Sequence, residues 1–195
     1  MKYRTIVVDP PWSYQNKWQQ AGKGNARTHD GLAGIFRTGG NGAAAKYPCL
    51  DVDAIGEIPV GDWADKNAHM YLWTTNSFLR DAFVLMERWG FAYKTMITWA
   101  KTQIGMGMYF RNTTEHALFG VRGRLKCLRR DVPTHFVAPR GAHSAKPEAF
   151  YDMVESMSPG PYLDVFARRL RMGWDCWGNE VYNLADLPKT GIEVL

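Results

Sequence analysis

The residues of this chain that most directly suggest chemistry are four consecutive ones near its start, Asp9, Pro10, Pro11 and Trp12. The β-branched run Thr5–Val8 before them is typical of a buried strand. The strand should stop at Asp9, because two consecutive prolines cannot donate ladder hydrogen bonds and they hold the backbone extended. The sequence therefore predicts a carboxylate, a stiff turn with bare carbonyls and an indole at the carboxyl end of a strand, where open α/β sheets bind ligands.

These parts suit the alkylation of an amino group on a nucleobase. The exocyclic amine of adenine is a poor nucleophile, because its lone pair is delocalised into the ring. The carboxylate of Asp9 and the carbonyl of Pro10, both accepting from the amine, would stabilise the positive charge that grows during attack. The Trp12 ring would stack on a flipped-out or single-stranded base. A second interpretation stays open at this point: Asp-Pro-Pro also ends many ordinary strands, and Trp12 would equally serve as a core residue.

Further segments extend these four residues into a resemblance. Together they resemble, in order, the MT-A70 family of S-adenosylmethionine-dependent adenine-N6 methyltransferases, in which a motif like Asp9–Trp12 is catalytic. The resemblance covers nearly the whole chain. The matching segments are Tyr47–Pro48, Tyr71–Asn76, Gly105–Asn112, Glu115–Gly123, Ala138–Arg140, His143–Glu148, Leu163–Arg169 and Gly173–Glu180.

The resemblance implies the fold and the cofactor. It implies a doubly wound, mostly parallel α/β sheet of the Rossmann-like class I methyltransferase kind, circularly permuted so that the catalytic strand comes first. Leu163–Phe166 would then be the cofactor strand. The permutation accounts for the lack of a GxGxxG turn after Val8. S-adenosylmethionine is the implied cofactor, and no metal is required, because its sulfonium group is already a strong electrophile.

The resemblance also implies site residues. Lys146 and Arg168 would pair with the methionine carboxylate, and Asn179 with Glu180 would hold the ribose hydroxyls. Asp164 is a costly carboxylate inside an apolar strand, and it would bind either the cofactor's amine or an arginine. The full cofactor set is Asp9, Lys146, Asp164, Phe166, Arg168, Asn179 and Glu180. The catalytic set is Asp9, Pro10, Pro11 and Trp12, and the substrate set is Trp12, Tyr14, Arg111, Asn112 and Glu115.

Composition bounds the class of protein. At 195 residues, with 46% hydrophobic and 22% charged residues, the chain should form a single catalytic domain, residues 1–195, with a substantial core. Three widely spaced cysteines, Cys49, Cys127 and Cys176, support neither a disulfide framework nor a zinc site. No signal pattern and no run of membrane-spanning length is present, so the expected location is the cytoplasm.

The net charge of +5 is unevenly distributed. Basic residues dominate two stretches, a Gly-rich one at about 13–46 and a second one at 121–130, and both are predicted to be loops. We expect the first to be a mobile lid that binds the substrate. A solvated basic surface is the plainer interpretation of either one, but two such loops beside the site favour contact with a phosphate backbone.

Hydrophobic periodicity predicts strands alternating with helices, which is typical of a doubly wound sheet. A core-facing stripe marks the helix after Asn76, and Gly90 should end it. The predicted helices are Leu50–Ile55, Asn76–Trp89 and Pro147–Met157. The predicted strands after the first are Ala68–Thr74, Tyr93–Ala100, His116–Val121, Thr134–Ala138, Tyr162–Phe166 and Trp174–Trp177.

The sequence thus predicts an enzyme that transfers the methyl group of S-adenosylmethionine to N6 of adenine, in DNA ahead of RNA, because RNA-modifying relatives carry further RNA-binding segments. Alternatives are a catalytically silent nucleic-acid-binding subunit of the same family and a simple basic single-strand binder. Cytosine-N4 methylation is disfavoured, since serine commonly replaces the aspartate there. A homodimer or a partner subunit is left open.

Overall fold

The computed structural model of the chain describes residues 1–13, 50–105, 109–141, 145–178 and the backbone of 181–182. The predicted lid beyond Ser13 and the predicted site residues Tyr14, Asn179 and Glu180 lie outside this part. Eight strands form one sheet in the order β5-β3-β4-β2-β1-β6-β7-β8. The strands are β1 (Tyr3–Val8), β2 (Ala64–Thr74), β3 (Ala92–Lys101), β4 (Thr114–Arg122), β5 (His135–Ala138), β6 (Tyr162–Val165), β7 (Trp174–Gly178) and β8 (Val181–Tyr182).

The predicted α/β class with a mostly parallel sheet is confirmed. Strand β1 is central and pairs in parallel with β2 and β6, and β6 pairs in parallel with β7. The two exceptions to the common direction are β4, antiparallel to both β2 and β3, and β8, antiparallel to β7. The alternation of strands and helices is looser than predicted: in the described residues, no helix separates β3, β4 and β5, or β6 and β7.

Helices cover both faces of the sheet, as a doubly wound fold requires. Ile6 and Val8 of β1 face a core shared with the helices that flank β2, whereas Val7 faces the opposite core. This alternation follows from the two-residue period of a strand. The helices are α1 (Val52–Glu57), α2 (Val60–Trp63), α3 (Leu79–Arg88), which follows a short 3₁₀ turn at Asn76–Phe78, and α4 (Glu148–Met157).

The helix ends follow the chemistry of their capping residues. Asp51 caps α1, since its carboxylate accepts a hydrogen bond of 2.8 Å from the N–H of Ala54. After α3, Gly90 adopts a φ of +79°, the left-handed conformation that favours glycine and ends a helix. The predicted stop at this position is therefore confirmed. No described helix is long and apolar enough to cross a bilayer.

Strand direction overturns one expectation about the second basic stretch. Because β4 is antiparallel, His116 lies opposite Thr74 near the end of β2, whereas Arg122 lies opposite Ala68 near its start. Residues 123–130 therefore leave the sheet at the edge opposite Asp9. The N–H of Leu128 there donates to the carbonyl of Met157 at the end of α4. The prediction that residues 121–130 flank the site is wrong.

Candidate active site

Asp9 lies directly after β1, at the carboxyl edge of the parallel strands. Its N–H donates to the carbonyl of Val165 over 3.1 Å, which fixes it against the end of β6. The two prolines turn the chain as predicted: the Pro10 carbonyl accepts from the N–H of Trp12, and the Pro11 carbonyl accepts from the N–H of Leu50. Each carbonyl has a second lone pair, so these bonds leave Pro10 able to accept from a ligand.

Four charged side chains of alternating sign meet at this edge. Lys146 Nζ lies 2.9 Å from Asp9 Oδ1 and 3.4 Å from Glu115 Oε2. The second oxygen of Glu115, Oε1, accepts from the ammonium of Lys101. We call this row Asp9–Lys146–Glu115–Lys101 the charge row. The strand directions explain it, because β1 and β3 end at the edge where antiparallel β4 begins.

The charges in this row control one another's ionisation. Burial alone would lower the pKa of Lys146, but Asp9 and Glu115 outweigh burial and hold it above its usual value. Burial likewise would raise the pKa of Glu115, and the two lysine charges hold it below its usual value. For Lys101, burial dominates the attraction of Glu115 and lowers the pKa. Indole rings of Trp73 and Trp99 lie beside the two ammonium groups, with centroids 5.0 Å from Lys146 Nζ and 4.9 Å from Lys101 Nζ.

A cleft opens beside the charge row. It unites five of the seven residues predicted to bind the cofactor, and the other two lie outside the described residues. The predicted residues in the cleft lining are Asp9, Lys146, Asp164, Phe166 and Arg168, joined by Ala145, Tyr151, Ala167 and Arg169. Cations and carboxylates side by side suit a zwitterion such as the amino-acid end of S-adenosylmethionine.

The chain turns sharply beneath the cleft, after β6. Phe166 adopts a φ of +65°, and its N–H donates to the carbonyl of Trp177. β6 therefore ends at Val165, one residue earlier than predicted. Gly178 touches this turn so closely that a Cβ there would lie 2.8 Å from the Ala167 carbonyl oxygen. The turn is thus held in place by the neighbouring strand.

Asp164 is 4% exposed and accepts a hydrogen bond of 2.8 Å from the Tyr151 hydroxyl. Burial raises the pKa of Asp164 to about 7, against the opposing effect of that hydrogen bond and with a smaller contribution from Asp9. Burial, together with the negative charge of Asp164, also raises the pKa of Tyr151 well above its usual value. An arginine had been one expected partner, but Arg169 and Arg171 pair with Glu148.

Sequence reasoning missed Tyr151 as a site residue. The signal was available, because a buried carboxylate at Asp164 demands a donor and α4 packs on that face of the sheet. Tyr151 lies in the first turns of α4, and its side chain faces the core. The hydroxyl is the polar group of that side chain, and it is the group that donates to Asp164.

The structure places Trp12 differently from the expected base-stacking ring. The indole is 7% exposed, it stacks on Phe78 with ring centroids 5.1 Å apart, and its N–H donates to the Trp73 carbonyl over 3.2 Å. A base needs a free ring face, and this ring is enclosed by apolar neighbours. Stacking by Trp12 therefore finds no support in this arrangement, and the alternative of a core residue fits it.

The expected substrate residues divide into two groups. Glu115 has both carboxylate oxygens engaged by lysines, and Asn112 accepts from the amide of Asn76 through its side chain and from Gly105 N–H through its carbonyl. Arg111 is exposed, and it follows Tyr109 and Phe110, which are 93% and 86% exposed. This exposed group stands in the β3–β4 connection, on the same edge of the sheet as Asp9.

An α/β sheet with a charged cleft at the carboxyl ends of its parallel strands is the arrangement of a Rossmann-like ligand-binding fold. The chain matches the MT-A70 family over residues 3–180 and belongs to it. The family recognised from the motifs is thereby confirmed.

Three curated relatives support membership of this family, and they differ in how much of their own length the match covers. The chain is 32% identical to the Type II methyltransferase M.MunI of a Mycoplasma species, over 97% of this chain and 83% of that protein. It is 26% identical to the human N(6)-adenine-specific methyltransferase METTL4 and 27% identical to the N6-methyladenosine RNA methyltransferase MTA1 of Cryphonectria parasitica. Those matches cover 92% and 90% of this chain but only 37% and 51% of the two relatives. The predicted methyltransferase class is confirmed by this set.

Proposed function

We propose that the chain transfers the methyl group of S-adenosylmethionine to N6 of adenine in DNA. The observation that carries this proposal is the cleft beside Asp9, which gathers the described cofactor residues implied by the family motifs. Relatives named for N6 methylation of adenine support the reaction. The Type II methyltransferase that the chain covers over 83% of its length supports DNA ahead of RNA.

The cleft residues fit the amino-acid end of the cofactor. Lys146 and Arg168 would take its carboxylate, while Asp9 and Asp164 would accept from its ammonium group. When bound, the cofactor supplies an electrophilic methyl group on sulfur. Phe166 and Ala167 would form the turn under it. Asn179 and Glu180 stay proposed ribose contacts, and Tyr14 stays a proposed substrate contact.

Asp9 would also orient the target amine. Lys146 holds Oδ1 of the Asp9 carboxylate, and Oδ2 would accept a hydrogen bond from N6. The Pro10 carbonyl, fixed by the rigid Pro10–Pro11 turn, would accept from the other N–H. Together the two acceptors would stabilise the positive charge that develops on nitrogen as the N–C bond forms and the S–C bond breaks, which leaves a neutral thioether. The proton that the nitrogen then loses would pass to water.

The nucleic acid would meet the exposed group on the same edge. Arg111 offers a cation to the phosphate backbone, and the rings of Tyr109 and Phe110 offer surfaces on which bases stack. This group takes over the stacking role that sequence reasoning gave to Trp12.

The proposal is tested by cofactor titration and methyl transfer on the same preparations. We expect calorimetry to detect S-adenosylmethionine binding, and Asp9→Ala to abolish methyl transfer to adenine-containing DNA. Asp152→Ala is the matched control, because Asp152 is an exposed aspartate on α4. Equal transfer by wild type and Asp9→Ala would refute the assigned role of Asp9.

RNA is the second candidate substrate, because one relative is named as an RNA methyltransferase. Parallel reactions with DNA and RNA of the same base sequence distinguish the two. Faster transfer to RNA would replace DNA in the proposal without changing the site.

A further inference from the structure

We infer that Lys101 is a positioning residue for the reaction, acting on Asp9 through Glu115 and Lys146. The inference rests on the proposed function, because its consequence is the orientation of the carboxylate that we assign to the amine. Lys101 ends β3, which is separated from β1 in the sheet by β4 and β2.

Lys101 is too enclosed to act by contact with a substrate. Its side chain is 7% exposed, and its ammonium group donates to Glu115. The Trp99 ring covers another side of the ammonium group. The hydrogen bond to Glu115 is therefore the contact through which Lys101 can act on the site.

Glu115 divides its negative charge between two lysines. One oxygen is bound by Lys101, and the other lies 3.4 Å from Lys146. Lys146 lies closer to Asp9, at 2.9 Å. With Lys101 present, the charge of Glu115 is largely compensated, so Lys146 pairs chiefly with Asp9 and fixes its carboxylate.

Removing one charge from the charge row changes how the remaining charges pair. Without Lys101, Glu115 is a buried carboxylate with a single partner, and it draws Lys146 towards itself. Asp9 then loses the cation that holds Oδ1. Removing Glu115 together with Lys101 takes away one charge of each sign, and Lys146 has Asp9 alone to pair with.

We therefore expect the loss of Glu115 to compensate for the loss of Lys101 and not to add to it. We expect Lys101→Met to lower kcat and the affinity for S-adenosylmethionine by about 5- to 50-fold, which lies within the range typical of coupled neighbours. The double variant Lys101→Met/Glu115→Gln should recover most of that loss. Lys101→Arg, which keeps the charge, should stay within about threefold of wild type. The KM for nucleic acid should not change in any of them.

The control is Lys94→Met, since Lys94 is an exposed lysine at the opposite end of the same strand. A purely structural role for Lys101 would change the unfolding temperature of the variants but not kcat per folded molecule. Recovery of kcat in the double variant would support the inference. A double variant as impaired as Lys101→Met, or more so, would overturn it and place Glu115 in direct contact with the substrate.

Failure of the proposed function is distinguishable from failure of this inference. If wild type binds S-adenosylmethionine but methylates neither DNA nor RNA, the proposed function falls. The same variants are then ranked by calorimetric affinity for S-adenosylmethionine alone. The loss in Lys101→Met and its recovery in the double variant would still support the charge row, and equal affinities throughout would overturn it.

Discussion

Asp164 should make the protein less stable as the pH rises, and replacing it by asparagine should remove that effect. Its folded-state pKa is about 7, against an ordinary value of 3.8. Between these values the folded protein keeps the proton and the unfolded chain has lost it. Unfolding therefore releases a proton, and the free energy of unfolding falls with rising pH until it levels off above about pH 7.

The size of the effect follows from that difference in pKa. About three pH units at about 1.4 kcal/mol each give about 4 kcal/mol of lost stability at neutral to alkaline pH. Asp164→Asn keeps the shape and an oxygen that can accept from the Tyr151 hydroxyl, but it carries no charge. We expect the variant to gain on wild type by about 1.4 kcal/mol per pH unit from about pH 4 to about pH 7.

The assay is urea unfolding of wild type and Asp164→Asn at matched pH values from about 5 to about 8.5, compared as differences so that other titrating groups cancel. Asp152→Asn, on the exposed side of α4, should show no pH-dependent difference. A constant difference between wild type and Asp164→Asn across this range would refute the burial argument.

A destabilising carboxylate in a cleft also implies a use for it. Asp164→Asn should therefore bind S-adenosylmethionine at least about tenfold more weakly while it unfolds less readily, because a charge-assisted hydrogen bond to the cofactor's ammonium group is lost. Unchanged affinity in the stabilised variant would leave Asp164 without a role in the cofactor site.

Three further predictions follow from the described contacts. Trp12→Phe should lower the free energy of unfolding by about 1 kcal/mol, because the hydrogen bond of the indole N–H is lost, and it should leave the KM for nucleic acid unchanged. A raised KM, measured at equal concentrations of folded protein, would return Trp12 to the substrate site. Tyr109→Ala and Phe110→Ala should each raise the KM for nucleic acid about 5- to 100-fold without changing cofactor affinity, given the usual worth of a stacked base; light scattering would show whether they alter oligomeric state instead. The double variant Arg129→Ala/Arg130→Ala, at the opposite edge of the sheet, should leave methyl transfer and its salt dependence unchanged. A flatter salt dependence would show that these arginines contact the nucleic acid, against their placement away from the site.

The cleft residues could be predicted from the sequence because each lies in or beside a family motif. The order of those motifs along the chain assigns each residue to the end of a particular strand. Asp9 follows the first strand, Asp164 lies near the end of the strand that pairs beside it, and Arg168 follows that strand. Parallel neighbours bring such residues to one edge whatever the details of side-chain contact. The resemblance to the family's motifs was sufficient there.

Contacts between distant elements could not be read from local sequence. The enclosure of Trp12 depends on Phe78 and on the Trp73 carbonyl, which belong to β2 and the turn after it. The charge row depends on β4 running antiparallel, which brings Glu115 to the edge where Lys101 ends β3. The same reversal sends the second basic stretch to the far edge, and periodicity in that region carries no sign of strand direction.

The central claim is that Asp9 at the end of β1 directs methyl transfer to adenine N6. It is tested most directly by incubating the chain with S-adenosylmethionine carrying a labelled methyl group and unmethylated DNA, with RNA in parallel, and by digesting the products to nucleosides for mass spectrometry. We expect label in N6-methyladenine from DNA, absent with Asp9→Ala and retained with Asp152→Ala. Label in N4-methylcytosine, or N6-methyladenine that persists in Asp9→Ala, would contradict it.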